Sequence, residues 1–299
     1  MVKYLIKYQR SNIWTSELLE LIRGASGGFL FGIPLLYTME VWWIGSYIEP
    51  PLLLSILAVT YVVVLLLNRS DGFRKNKQGG MLDAAIESVE ALGIGIVCAT
   101  FTLILLRRIT GETPLDEALG KVIFESVPFS LGVALTRSLL SGESATSDQN
   151  ENPKTQQNTH TRKDKISFKD TLADISATLI GAMIVAFNIA PTDEIPMLAA
   201  ATSPPWLIAI IIASLIISYG IVFVAGFTNQ QKRHAQQGLF QTPEGETIFS
   251  YLISLLAAAL MLWFFHRLSF SDPWFLWLRY TLLLALPATI GGAAGRLAI

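Results

Sequence analysis

Several of the 23 acidic residues in this 299-residue chain interrupt long apolar runs, where a carboxylate has chemistry to do. A charge at membrane depth costs several kcal/mol unless it is paired or hydrated, so each such group is a candidate for binding a cation or relaying a proton. Glu40 lies toward the far end of an apolar stretch at 25–47, and Glu194, preceded by Asp193, ends another at 170–190. Two such carboxylates at one level can hold a cation between them; equally, both can sit in water at the interface and cap neighbouring helices. Asp83, Glu87 and Glu90 follow an i, i+4, i+7 spacing, which puts them on one helix face. They form a cation vestibule, pair with the basic loop at 69–77, or face water. Glu125 precedes Pro128 in a fourth run, and Arg279 falls at similar depth in the last one; the two are expected to form an ion pair, as a clamp or as a switch. Pro34 and Asn188 interrupt apolar helices, and the missing proline donor can leave a carbonyl for an ion. Gly24, Gly28 and Gly32, like Gly291 and Gly295, recur every four residues and let a second helix approach.

Signals for catalysis are missing. No HExxH, CxxC, GxSxG or phosphate-cradling glycine loop occurs, and His160, His234 and His266 are scattered. Cys98 is the single cysteine, within an apolar run, so no disulfide frame or thiolate cluster is expected. The reading is therefore no enzyme, no cofactor and no resident metal. Arg137 and Arg296 end helices and read as anchors to lipid phosphates, and Asp170 and Asp174 favour a helix start.

The elements that must position these groups follow from composition. Apolar residues make up 52% of the chain and charged ones 15%, with a mean hydropathy of +0.49; an average soluble domain is roughly 25% charged. The apolar excess is concentrated in blocks of about twenty residues, enough for a helix to cross roughly 30 Å of hydrocarbon. Eight spans are expected, at 25–47, 51–67, 83–106, 118–140, 170–190, 204–227, 247–266 and 275–297. Residues 12–23 read as an amphipathic helix on the membrane surface, and Met1 to Arg10 lacks the apolar core of a secretory signal. Trp14, Trp42, Trp43, Trp206, Trp263, Trp274 and Trp277 fall mostly at span ends, as an interfacial belt does. The net charge of −1 implies no nucleic-acid partner.

Seventeen Lys and Arg residues fall on one side of these spans. Arg107, Arg108, Lys121 and Arg267 fall on the other. That asymmetry places both termini in the cytoplasm of a cell-membrane protein. Segment 141–166 is polar and unpatterned and is expected to be a flexible cytoplasmic linker between halves 1–140 and 167–299. The halves match. A shift of 154 carries Gly27 onto Gly181, Glu40 onto Glu194, Pro34 onto Asn188 and Pro50-Pro51 onto Pro204-Pro205. A shift of 159 then carries Glu87 onto Glu246, Arg108 onto Arg267, Pro128 onto Pro287, Gly132 onto Gly291 and Arg137 onto Arg296. Four spans per half make the repeats parallel, related by a pseudo-two-fold axis along the membrane normal.

The stretch RGASGGFLFGIPLLYTMEVWWIG at 23–45, continued by the prolines at 50–51 and GFRKNKQGG at 72–80, resembles an uncharacterised bacterial family of multi-pass integral membrane proteins. The resemblance covers most of the chain and implies location and topology, but brings no activity, ligand or functional residue. The first helix is also faintly similar to potassium channels whose first helix opens on an Arg and a Phe-Ser-Asp motif and closes on a Leu-Glu-Ile-like element. Arg23, Ser26 and Met39-Glu40-Val41 fit that register, while Ala25 and Gly27 stand at the phenylalanine and aspartate. This likeness implies only a cation pathway.

The expected architecture is thus all-α and polytopic, with about eight transmembrane helices in two parallel four-helix repeats. The leading functional expectation is a transporter or channel for small cations or protons, embedded in the lipid bilayer and compatible with a homo-oligomer. Its rival is a scaffold that binds a partner through the linker or the basic loops, and a lipid-acting enzyme comes third.

Overall fold

A computed structural model describes residues 2–71, 81–141, 161–225 and 242–298, with side chains over 14–69, 81–136, 172–225 and 242–298. Among these residues the regular structure is ten α-helices and one π-helical turn. They are α1 (Val2–Leu36), α2 (Met39–Tyr47), α3 (Pro50–Asp71), α4 (Met81–Leu105) and α5 (Leu115–Ser141). After these come α6 (Thr161–Ile189), α7 (Glu194–Ala201), α8 (Pro204–Tyr219, continued by the π-turn Gly220–Val224), α9 (Pro243–Phe264) and α10 (Trp274–Leu297). All but α2 and α7 contain a stretch long and apolar enough to cross a membrane. On α3, Leu52, Leu54, Val59, Val62 and Leu66 are all exposed. So much apolar surface is untenable in water and is what a bilayer solvates.

Two boundaries differ from the sequence reading. The surface helix at 12–23 and the span at 25–47 are replaced by one long helix, α1, whose crossing is Trp14–Leu36 and not 25–47. Nothing in Asn12–Arg23 breaks a helix, so it runs straight through. The break comes instead just past Pro34, whose ring lacks a donor and crowds the carbonyl one turn back. Thr38 is extended (φ −123°, ψ 104°), and the stranded Leu36 carbonyl accepts from Trp42 Nε1 at 2.7 Å. The other change is at the linker, where residues 161–166 belong to α6. Thr161–Asp170 carries neither glycine nor proline, so the helix extends outward from the span. The rest of the expected linker, 142–160, lies outside the described residues, as does the loop at 226–241.

The chain forms two compact units. The first comprises Met1–Ile104, Arg108–Ser138 and Val224–Gly226; the second comprises Leu105–Arg107, Leu139–Phe223 and Phe227–Ile299. In the first unit, α1, α4 and α5 meet through small residues. A Cβ on Gly27 would run into Thr136 Oγ1 and the Gly132 carbonyl, and one on Gly95 would meet Ser130. Phe29 sets its ring edge against Phe101 and Phe129, at 6.2 and 6.1 Å. Toward α3, Val64 packs with Ala91, Val133 and Ala134. The second unit is built on α6, α9 and α10, with Gly181 crossing Gly291 at backbone contact. α10 is buried continuously from Thr281 to Ala293, so it is apolar all round and not on one stripe.

α4 and α9 end in the same way. Arg107 (φ 59°) and His266 (φ 57°) take the left-handed conformation that usually falls to glycine at a helix C-terminus. Arg108 N then donates to Leu103 O at 2.8 Å, and Arg267 N to Leu262 O at 2.9 Å, closing the last turn. Three residues on, the backbone N–H of Thr110 donates to Thr113 Oγ1, and that of Ser269 to Asp272 Oδ2.

Candidate functional site

Glu125 lies at the middle of the 22-residue α5 span, with no exposed surface and no hydrogen-bond partner for either carboxylate oxygen. Its position follows from the face it shares. Lys121, Glu125 and Phe129 recur at i, i+4 and i+8, and the Phe129 ring packs on Gly32 of α1. On the other side of Glu125, Gly45 of α2 lies against the backbone of Gly120 and Lys121. Glu125 therefore sits between these two contacts, at the level where α1 stops. Pro128 adds a second acceptor, because without its N–H the Phe124 carbonyl loses its helical donor.

Above and below this carboxyl the first unit places further polar groups. At the end where α5 begins, Lys121 Nζ donates to Glu117 Oε1 and to the Arg108 carbonyl, and Arg108 stacks 5.1 Å over the Trp42 ring. Burial lowers Arg108 below the ordinary arginine value and raises Tyr37 above the ordinary tyrosine value. Toward the other end, Asn68 Nδ2 of α3 donates to Ser88 Oγ of α4 at 3.1 Å, and Ser88 to the Ala84 carbonyl. Asn68 Oδ1 and Ser130 Oγ are buried with no hydrogen-bond partner. Sequence reasoning missed Asn68, Ser88 and Ser130. The available signal was an asparagine and serines within otherwise apolar helices, a weak one because such serines usually bond their own helix backbone.

The other expected residues are spread out. Glu40 stands exposed in the first turn of α2, while Glu194, buried at the start of α7, is its unequal counterpart. Asp193 accepts from Arg267 Nη1 at 2.8 Å, and Arg267 Nη2 donates to the Pro191 carbonyl. Glu87 and Glu90 are half-buried on α4, with Asp83 exposed at its start. Glu90 lines a groove of about 450 Å³ with Leu21, Ala25, Gly93, Ile94, Val97 and Cys98. Pro34 and Asn188 sit in the last turns of α1 and α6, where Asn188 is exposed and its Nδ2 donates to the Ile184 carbonyl. Arg279 gives Nη2 to the Thr202 carbonyl.

Two side chains differ from their expected roles. Arg296 is no headgroup anchor: it is buried, paired with Glu246, 2.9 Å from Ser250 Oγ and stacked over Phe223. Trp42 is buried too, unlike the exposed Trp14, Trp43, Trp263 and Trp274. Both carry polar atoms that find protein partners, which is what lets them leave the interface. Among the described residues, no three His, Cys, Asp or Glu side chains are grouped to hold a metal ion.

Eight long apolar helices, exposed hydrocarbon on their outer faces and a carboxyl sealed at mid-span define a multi-pass integral membrane protein. The chain belongs to the family described as "Putative integral membrane protein (DUF2391)", whose model matches residues 20–299. No curated protein and no solved structure matches it.

Proposed function

We propose that the protein is a transporter or channel of the cell membrane for small cations or protons, with both termini in the cytoplasm. The observation that carries this reading is Glu125: a mid-span carboxyl with no partner costs stability, and such a cost is retained where the group does chemistry. Glu87 and Glu90 are the polar groups toward one end of the same unit, and Glu40 and Glu194 supply carboxylates beside the short helices α2 and α7. The excess of Lys and Arg on one side of the spans supports the orientation. Two parallel four-helix repeats are part of the same proposal. The matched glycine crossings at Gly27–Gly132 and Gly181–Gly291, and the matched turns at Arg107 and His266, support them.

Purified protein in liposomes tests the function. Flux of protons, sodium, potassium or calcium above that of empty vesicles is expected. If none of the four crosses faster than in empty vesicles, the proposal fails.

A further inference from the structure

Resting on that reading, the first unit supports a narrower statement about what moves. We infer that the transported species is the proton, carried on the Glu125 carboxyl and passed through the first unit by way of Ser130 and the Asn68–Ser88 pair toward the end that bears Glu87 and Glu90.

Neither Glu125 oxygen has a hydrogen-bond partner, and the other spans of the first unit offer no cation at its depth. Residues 24–36 of α1, 50–67 of α3 and 91–105 of α4 contain no Asp, Glu, Lys or Arg. The titratable groups nearest in register are the buried Cys98 of α4 and the exposed Glu40 of α2, neither of them a cation, followed by Tyr37 after α1, Arg108 after α4 and Lys121 one turn away on α5. Lys121 is already engaged by Glu117 and the Arg108 carbonyl, and Arg108 by Trp42. A carboxyl enclosed in this way is stable when it carries its own proton, and becomes an anion only when a hydrated route opens to it.

Among the described residues, no three His, Cys, Asp or Glu side chains converge at this place. A bound calcium-like ion needs six or more oxygens converging at about 2.3–2.6 Å. The unpartnered buried oxygens of this unit are instead strung along its axis. Ser130 is five residues, about 7.5 Å, along α5 from Glu125 and about 140° round it, on the face toward α4. It packs on Gly95, and Ser88 lies seven residues, about 10 Å, from Gly95 on the same face of α4. Ser88 is hydrogen-bonded to Asn68, whose Oδ1 is still without a donor. Acceptors spaced at such intervals suit a proton handed between hydroxyl, amide and intervening water, and not an ion held at a point. The balance is simple: Glu125 gains one proton from one side and releases the same proton toward the other, with no change in oxidation state.

The experiment uses the full chain in phosphatidylcholine liposomes containing a pH-sensitive dye, with a potassium–valinomycin potential as the drive. Wild type should move protons. Glu125→Gln should slow this at least tenfold, Glu125→Asp should keep part of it, and Ser130→Ala and Asn68→Val should each slow it several-fold. Equal proton flux in wild type and Glu125→Gln overturns the inference. Sodium or potassium flux without proton flux also overturns it, but leaves the broader transport reading standing. No flux of any cation overturns both. A second measurement is independent of how the variants fold. Dicyclohexylcarbodiimide reacts with protonated carboxyls in apolar surroundings, so wild type should gain one adduct, mapped to Glu125 by mass spectrometry and declining as pH rises. Absence of that adduct overturns the inference.

Discussion

Each of the two units holds a glycine-to-glycine helix crossing, and they differ in what they bury. Gly27 crosses Gly132 in the first as Gly181 crosses Gly291 in the second, and Arg107 and His266 close α4 and α9 with the same left-handed turn. Under the proposed repeat, Glu125 corresponds to Leu284 of α10, fully buried, and Asn68 to Val222, also buried. Ser130 corresponds to Thr289, whose hydroxyl is satisfied by the Ala285 carbonyl of its own helix. Under the proposed function, the unpartnered Glu125 and Ser130 of the first unit serve transport and not the fold. The second unit spends its buried charge differently, on the Arg296–Glu246 pair, which ties α10 to α9.

The largest effects are expected at the glycine crossings that both units contain. Gly132→Leu and Gly291→Leu each drive a side chain into a facing helix backbone, and each should cost more than about 3 kcal/mol. Thermal unfolding followed by size-exclusion chromatography in detergent checks this; a large loss in one unit only would mean that the two crossings are not equivalent. Next in size is Arg296→Met, which leaves Glu246 without its partner and should cost about 3 kcal/mol. The double variant Arg296→Met/Glu246→Leu should regain most of that loss in the same melting assay.

A smaller effect, of opposite sign in the two units, sharpens the contrast. Glu125→Leu makes the first unit resemble the second and should raise stability by about 2 kcal/mol while abolishing flux. The reverse change, Leu284→Glu, should lower stability by a similar amount or more. A Glu125→Leu protein that melts earlier than wild type would show that the carboxyl supports the fold. The smallest effect is at the turns, where Arg107→Gly and His266→Gly should each gain about 1 kcal/mol by removing a left-handed Cβ clash. Equal gains are expected; unequal ones would separate the two loops.

Span number and fold class were legible in the chain because they depend on about twenty consecutive residues at a time, a length set by the bilayer. Helix propensity without a breaker was also readable at Asn12–Arg23, but the interfacial expectation there overrode it, and α1 runs on unbroken. The candidate carboxylates were recognisable as a set, since acids in apolar runs stand out. Their ranking was not. Glu40 is exposed because α1 ends at Leu36, and that end depends on an indole from the next helix reaching back to a stranded carbonyl.

Burial and pairing are decided by which faces meet, and that is information held between distant segments. Arg296 and Glu246 are fifty residues apart, and only the packing of α10 on α9 turns a predicted lipid anchor into a buried pair. Glu125 looks like any acid near a proline until α1 and α5 close through Gly27, Gly32 and Gly132 and leave it buried with no hydrogen-bond partner. Hydrophobicity and bilayer thickness act locally and place helices in the membrane; desolvation acts on whatever the helices enclose, and so the electrostatic character of each acid comes only with the tertiary structure.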